Sequence, residues 1–153
     1  MQQTTKAYLT SLSIIHTALI MGQLLFAGVT FYLNNSGQYM PDKSLNTVFM
    51  LVVPGLVIVG IVASNALFSS RIKNIKEKQD FSAKLEAYRS VSIMRWALLE
   101  GPSLFAIICY FLTGNNKFLL MAGILIVIFV LKRPSKDKLV QDLELNQAES
   151  VLI

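Results

Sequence analysis

The sequence predicts an all-α fold: a bundle of four transmembrane helices, arranged as two tandem hairpins that repeat in parallel, followed by a short amphipathic cytoplasmic tail. Three observations predict it. Of the 153 residues, 54% are apolar and only 15% charged, against about 45–50% and about 25% in soluble domains. The apolar residues gather into four runs that reach or approach the roughly 20 residues a spanning helix needs. The bases, finally, crowd onto alternate connections between those runs. The membrane domain is assigned to residues 1–134 and the tail to 135–153.

The first span covers about residues 7–33, and His16 is the one acid or base within it. A basic leader, Lys6, precedes it, but the run far exceeds the 7–15 residues of a signal-peptide core and no small-residue cleavage site follows. The segment is therefore expected to be retained. The second span, about 45–70, holds no charge. The third, about 92–113, holds only Arg95 and Glu100. The fourth, about 118–131, is short, so it must stand upright, thin the bilayer or lean on its neighbours.

Orientation follows from the bases. Lys6, the six bases of segment 71–91 and the four of 132–138 make eleven on one side of a four-span chain; Lys43 and Lys117 alone lie on the other. The positive-inside rule puts both termini and the central connection in the cytoplasm. In that connection Ile72 and Ile75 extend the second helix, and Asp80 or Ser82 caps the next. In the tail, Ser135 is placed to start a helix after Arg133-Pro134. Asn146 and Glu149 have capping-box spacing, which predicts a last turn toward Ile153. Leu139, Leu143, Val151, Leu152 and Ile153 give the tail an apolar side, to rest on the membrane surface or against the central connection.

The first and third spans align at an offset of 79 residues. Between Ser13 and Leu33, nine of the 21 positions are identical to those between Ser92 and Leu112. Both copies carry Ala-x-x-x-Gly-x-x-x-Phe, as Ala18, Gly22, Phe26 and as Ala97, Gly101, Phe105. Small residues at this spacing let helix backbones approach in lipid, so Ala18, Gly22, Ala97, Gly101 and Gly60 are the expected packing positions.

Glu100 is the residue that asks for a function. It lies about 12 Å into the third span at 1.5 Å per residue, where an ionised acid costs about 2.5–3.5 kcal/mol on the lenient insertion scale. Arg95 is five residues earlier, about 140° around the helix, and close enough to the cytoplasmic surface to snorkel. His16, Gln23, Ser64 and Asn65 stand at heights from which they would satisfy Glu100. Pro102 follows directly after Gly101 and frees a backbone carbonyl one turn earlier.

Other function classes fall away. Apolar content excludes disorder, and the single cysteine, Cys109, excludes a disulfide scaffold. The net charge of +5 lies beside apolar runs, so no nucleic acid is expected as partner. There is no His-Glu-x-x-His, Cys-x-x-Cys, phosphate loop or nucleophile elbow, so neither catalysis, metal nor cofactor is expected. The expected partners are the lipid bilayer and either further copies of the chain or another membrane protein.

Two resemblances can be named from these residues. Glu100-Gly-Pro-Ser-Leu-Phe-Ala-Ile-Ile108, following a helix with Gly55, Gly60 and Ser64 and a basic loop, is locally similar to the Glu-Ala-Leu-Pro-Ile-Phe-Gly-Leu-Val stretch of the proteolipid (c) subunit of rotary ATP synthases. That resemblance implies ion or proton translocation, with Glu100 as the carrying carboxylate. The chain departs from it in lacking the dense glycine ladder and the Arg-Gln-Pro loop. The whole pattern, with Ala97-Leu-Leu-Glu-Gly-Pro102 and Arg133-Pro-Ser-x-x-Lys138, resembles small four-span bacterial integral membrane proteins of uncharacterised role. This implies the bacterial inner membrane and no activity. The leading expectation is a non-catalytic membrane protein that packs or assembles through small-residue faces; ion handling by Glu100 is the alternative.

Overall fold

The structure is a computed structural model describing residues 2–37, 39–147 and 149, with the side chains of 2–6 left aside. The expected apolar contribution of Val151, Leu152 and Ile153 lies outside the described residues. Five α-helices carry the described chain: α1 (Gln2–Asn35), α2 (Asn46–Lys76), α3 (Phe81–Thr113), α4 (Asn116–Leu131) and α5 (Lys136–Leu143), and no strand occurs among these residues.

Local chemistry sets the helix ends. Asp80 Oδ2 accepts from the Ala83 amide at 3.0 Å, so Asp80 rather than Ser82 caps α3. Asn115 and Ser135 cap α4 and α5 in the same way. Gly114 ends α3 at φ 68°, where only a glycine sits without strain, and a Cβ there would lie 3.0 Å from the Pro41 ring. The connection before α2 is thereby held against the end of α3, helped by the Asp42 amide donating to Leu112 O at 2.8 Å and by Tyr39 stacked on Phe111 at 4.4 Å.

Three helices, α1, α2 and α3, are long and apolar enough to cross a membrane. α4 has 16 residues and falls short alone; it continues, after a 79° bend at Lys132–Ser135, into α5. Each of α2 and α3 extends past its apolar run, so the central connection shrinks to a four-residue turn.

α3 is the central helix. It packs on α2, α4 and α1, whereas α1 and α2, consecutive in sequence, share no substantial contact. The first pair of helices is thus not a packed hairpin, because α3 intervenes. In their apolar windows 44% of α3 is buried in the chain but only 17% of α1 and of α2. α1 and α3 run parallel: Tyr8 Oη donates to Leu85 O at 2.6 Å near one end, and Asn34 Nδ2 to Tyr110 O at 3.0 Å near the other. Those pairs are 77 and 76 residues apart, close to the 79-residue offset at which the two sequences align.

The tail folds back on the end of the bundle that bears the central turn. Leu139, Leu143 and Leu145 are buried in one cluster with Ile72, Ile75, Leu85 and Tyr88. Tyr88 Oη donates to Asp142 at 2.9 Å, and Lys76 pairs with Glu144 at 2.6 Å. Asn146 and Glu149 form the reciprocal box their spacing predicts, at 3.2 and 2.8 Å. Of the two sites open to the tail, the structure has the protein one.

Lys84 Nζ contacts Glu149 Oε1 at 2.8 Å, and that hydrogen bond, with a smaller opposing effect of burial, holds the Glu149 carboxyl below its ordinary 4.5. A depressed acid contributes stability above its ordinary value and loses it as pH falls through the lowered one. The pair is partly buried but holds only the segment that follows α5, so only the last turn is expected to respond. The amides of Asn146 and Glu149 should show exchange protection at about pH 6 that is lost as pH falls through the lowered carboxylate value, while the protection of α5 stays unchanged; Lys84→Gln should remove the difference.

Candidate functional site

On α1 the inward face is polar. His16, Gln23 and Thr30 are seven residues apart, which returns to the same side of a helix, and all are buried, at 3%, 1% and 2% exposure. The His16 ring lies between Trp96, edge-on at 4.7 Å, and Phe129, stacked at 4.8 Å; its Nε2–H donates to Phe129 O at 3.0 Å. Gln23 Nε2 donates to Leu19 O of its own helix at 3.3 Å, and its buried Oε1 has no partner. Thr30 Oγ1 donates to Ala27 O.

Glu100 shares the height of Gln23, given the α1–α3 register, and is half-buried. It makes no hydrogen bond or ion pair with the described residues. The polar residues expected around it are engaged elsewhere. His16 serves α4; Ser64, buried, donates to Ile61 O of its own helix; Asn65 accepts from Arg95 Nη2 at 3.1 Å. Arg95 is held by the protein at the end of the bundle that bears the tail. Its guanidinium lies 4.1 Å over the Phe68 ring, turned to α2, and its Nε is buried without an acceptor.

The five packing positions divide. Gly60 is buried where α2 meets α3: a Cβ there would lie 2.8 Å from Leu98 O and 2.8 Å from Pro102 Cγ. Leu98 carries the carbonyl that Pro102 frees, so α2 approaches where the α3 ladder is open. Ala18, Gly22, Ala97 and Gly101 are exposed, and a Cβ at Gly22 or Gly101 would meet nothing within 4 Å. The expectation that they join helices within the chain is corrected here. The polar seam takes the inner side of α1, and Ala18, five residues from Gln23, falls about 140° away.

The structure assembles a site that the sequence pattern left dispersed. At the end of the bundle bearing the tail, a cavity of about 320 Å³ opens among α2, α3, the α4–α5 bend and α5. Phe68 comes from α2, and Tyr88, Ser92, Arg95 and Trp96 from successive turns of α3. Lys132, Arg133 and Pro134 come from the bend, and Lys138, Gln141 and Asp142 from α5. Four bases face it against one acid. Trp96 Nε1 donates to Lys132 O at 3.3 Å and fixes the bend to α3, Lys138 Nζ donates to Leu131 O at 2.6 Å, and Asp142 is held by Tyr88. Burial first, then the positive charges of Arg95 and Lys138, hold the Lys132 ammonium below its ordinary value, with Asp142 opposing. Sequence reasoning singled out Arg95 but read the bases near Lys132 as a topogenic flank. The available signal was Pro134, whose break returns the tail toward Arg95.

Among the described residues no group of His, Cys, Asp and Glu is arranged to hold a metal ion. No protein-family model matches the chain, and no curated protein or solved structure matches it either.

Proposed function

We propose that the chain is a non-catalytic four-span protein of the bacterial inner membrane, with both termini and the α2–α3 turn in the cytoplasm, that acts by assembling with a further membrane-embedded chain. The observation that carries this reading is the polarity of α1. Among its described side chains the buried ones are Leu12 and three polar residues, His16, Gln23 and Thr30, while Ile14 and Leu25 face outward at 62% and 65% exposure. Ile58 and Val59 of α2 do the same at 63% and 61%. A soluble bundle arranges these classes the other way; lipid favours this one.

α4 is read as the fourth span. Its 16 residues give about 24 Å against a hydrocarbon core of about 30 Å, a deficit met by local thinning around its contacts with α3 and α1. The parallel packing of α1 and α3 near the repeat offset supports two tandem repeats about an axis along the membrane normal. Ala18 and Gly22 on α1, with Ala97 and Gly101 on α3, are open on the outer surface and suit close approach by another helix.

The test separates the two kinds of glycine. Gly22→Leu and Gly101→Leu should change thermal stability in detergent by no more than about 0.5 kcal/mol yet reduce the cross-linked oligomer recovered from membranes. An oligomer unchanged in both variants contradicts the assembly role. A second reading, ion translocation by Glu100, draws on its half-buried carboxyl and the absence of a partner for it among the described residues. Carbodiimide labelling of Glu100 blocked by Na⁺ supports that reading, and cation flux unchanged in Glu100→Gln rules it out.

A further inference from the structure

We propose that the basic cavity at the tail end of the bundle binds a phosphate-bearing anion, either the headgroup of an anionic phospholipid or a free phosphate ester. Its donors converge from three elements: Arg95 from α3, Lys132 and Arg133 from the α4–α5 bend, and Lys138 from α5. Asp142 is the one acid in the lining, and it is already engaged by Tyr88 Oη at 2.9 Å. Arg95 keeps a buried Nε–H without an acceptor, and Lys132 and Arg133 form no ion pair among the described residues. Four cations gathered around one small space, Arg95 and Lys132 half-buried and Arg133 and Lys138 at its exposed rim, repel one another, and an anion relieves that cost while accepting several charge-assisted hydrogen bonds. Burial first, and this crowding after it, hold the Lys132 ammonium below its ordinary value.

Size and surroundings narrow the ligand. About 320 Å³ is at the lower end of small-molecule sites, enough for a phosphate with a short ester arm. The rim residue Leu131 is 65% exposed and continues an apolar stripe of α4 through Val127, Ile124 and Leu120. An acyl chain laid along that stripe brings its headgroup to the cavity mouth. The site does not depend on which side of the membrane it faces, so it stands apart from the topology and assembly proposed above.

Trp96, the one tryptophan, lines the cavity and reports on it. The full chain is placed in nanodiscs of phosphatidylcholine alone or with phosphatidylglycerol, and each is titrated with inorganic phosphate and glycerol 3-phosphate. Trp96 emission and the ligand mass retained in native mass spectrometry are read together. A saturable response with phosphatidylglycerol assigns the lipid source; one with the soluble phosphates in phosphatidylcholine assigns the free source; either supports the site. The double variant Lys132→Gln, Arg133→Gln, checked for an unchanged melting temperature, should weaken binding about tenfold or more, as loss of charged hydrogen bonds implies. No response and no retained ligand in any arm overturns the proposal, as does equal binding by the folded double variant.

Discussion

Replacing Gly60 by leucine should prevent α2 from closing on α3, with little folded protein recovered in detergent. The first side-chain carbon would stand 2.8 Å from both Leu98 O and Pro102 Cγ. One of these is backbone and the other a ring within a helix, so neither can swing aside as a flexible side chain would. Overpacking a closed interface costs about 1–3 kcal/mol when neighbours can adjust, and here the obstacle is the helix itself, so the loss should reach the upper end or exceed it. A Gly60 hydrogen points along the same line, toward the carbonyl that Pro102 leaves without its intrahelical donor. The close approach of α2 there covers a polar group that lipid would leave unsatisfied. Gly55→Leu is the control: it lies five residues earlier on the same helix, and a Cβ there meets nothing within 4 Å. Thermal unfolding of the two variants should differ by several degrees, with Gly55→Leu close to the parent. Equal melting temperatures would show that the α2–α3 contact is not as close as described.

Trp96→Ala should produce the second large loss, about 3–5 kcal/mol by analogy with other buried aromatic truncations. Trp96 is 2% exposed and joins three elements. It meets the His16 ring of α1 at 4.7 Å, tilts against Phe129 of α4 at 6.2 Å, and donates to Lys132 O at the bend. Its removal takes a face from His16 and unfastens the bend that brings α5 back over the bundle. Trp96→Phe keeps the ring and loses the donor, so it should retain most of the stability and lose about 1 kcal/mol for the hydrogen bond. Chemical denaturation in mixed micelles, followed by helical circular dichroism, measures both. A Trp96→Ala variant as stable as Trp96→Phe would mean that the aromatic cluster contributes nothing.

What the sequence made legible was whatever is decided locally. The apolar runs and the capping residues Asp80, Ser135, Asn146 and Glu149 act over a few residues, and the helices begin and end where those residues require. Height along the bundle was legible in part: residue count puts Gln23 level with Glu100, as the α1–α3 register has it, whereas His16 and Asn65 stand one to two turns nearer the tail end. Azimuth was not. α2 is apolar around its whole circumference, so nothing in its pattern says which side meets α3; that is decided by Gly60 against Leu98 and Pro102, a contact 38–42 residues long-range. The polar residues consequently turned to different neighbours. Asn65 meets Arg95, His16 meets Phe129, and Glu100 stands apart from both. The basic cavity was hidden for a related reason: its four bases lie on α3, the bend and α5, and only the 79° turn after α4 unites them.

The central claim, four spans with the tail and central turn together in the cytoplasm, is tested most directly by cysteine accessibility in intact cells. Cys109 is buried and would first be replaced by alanine. Single cysteines are then placed at Ser36, Lys76, Lys117 and Lys136, and labelled with a membrane-impermeant maleimide before and after permeabilisation. The account predicts that Ser36 and Lys117 react in intact cells, and that Lys76 and Lys136 react only once the membrane is opened. Labelling of Lys117 and Lys136 from the same side would show that α4 does not cross, and reversal of the whole pattern would contradict the orientation.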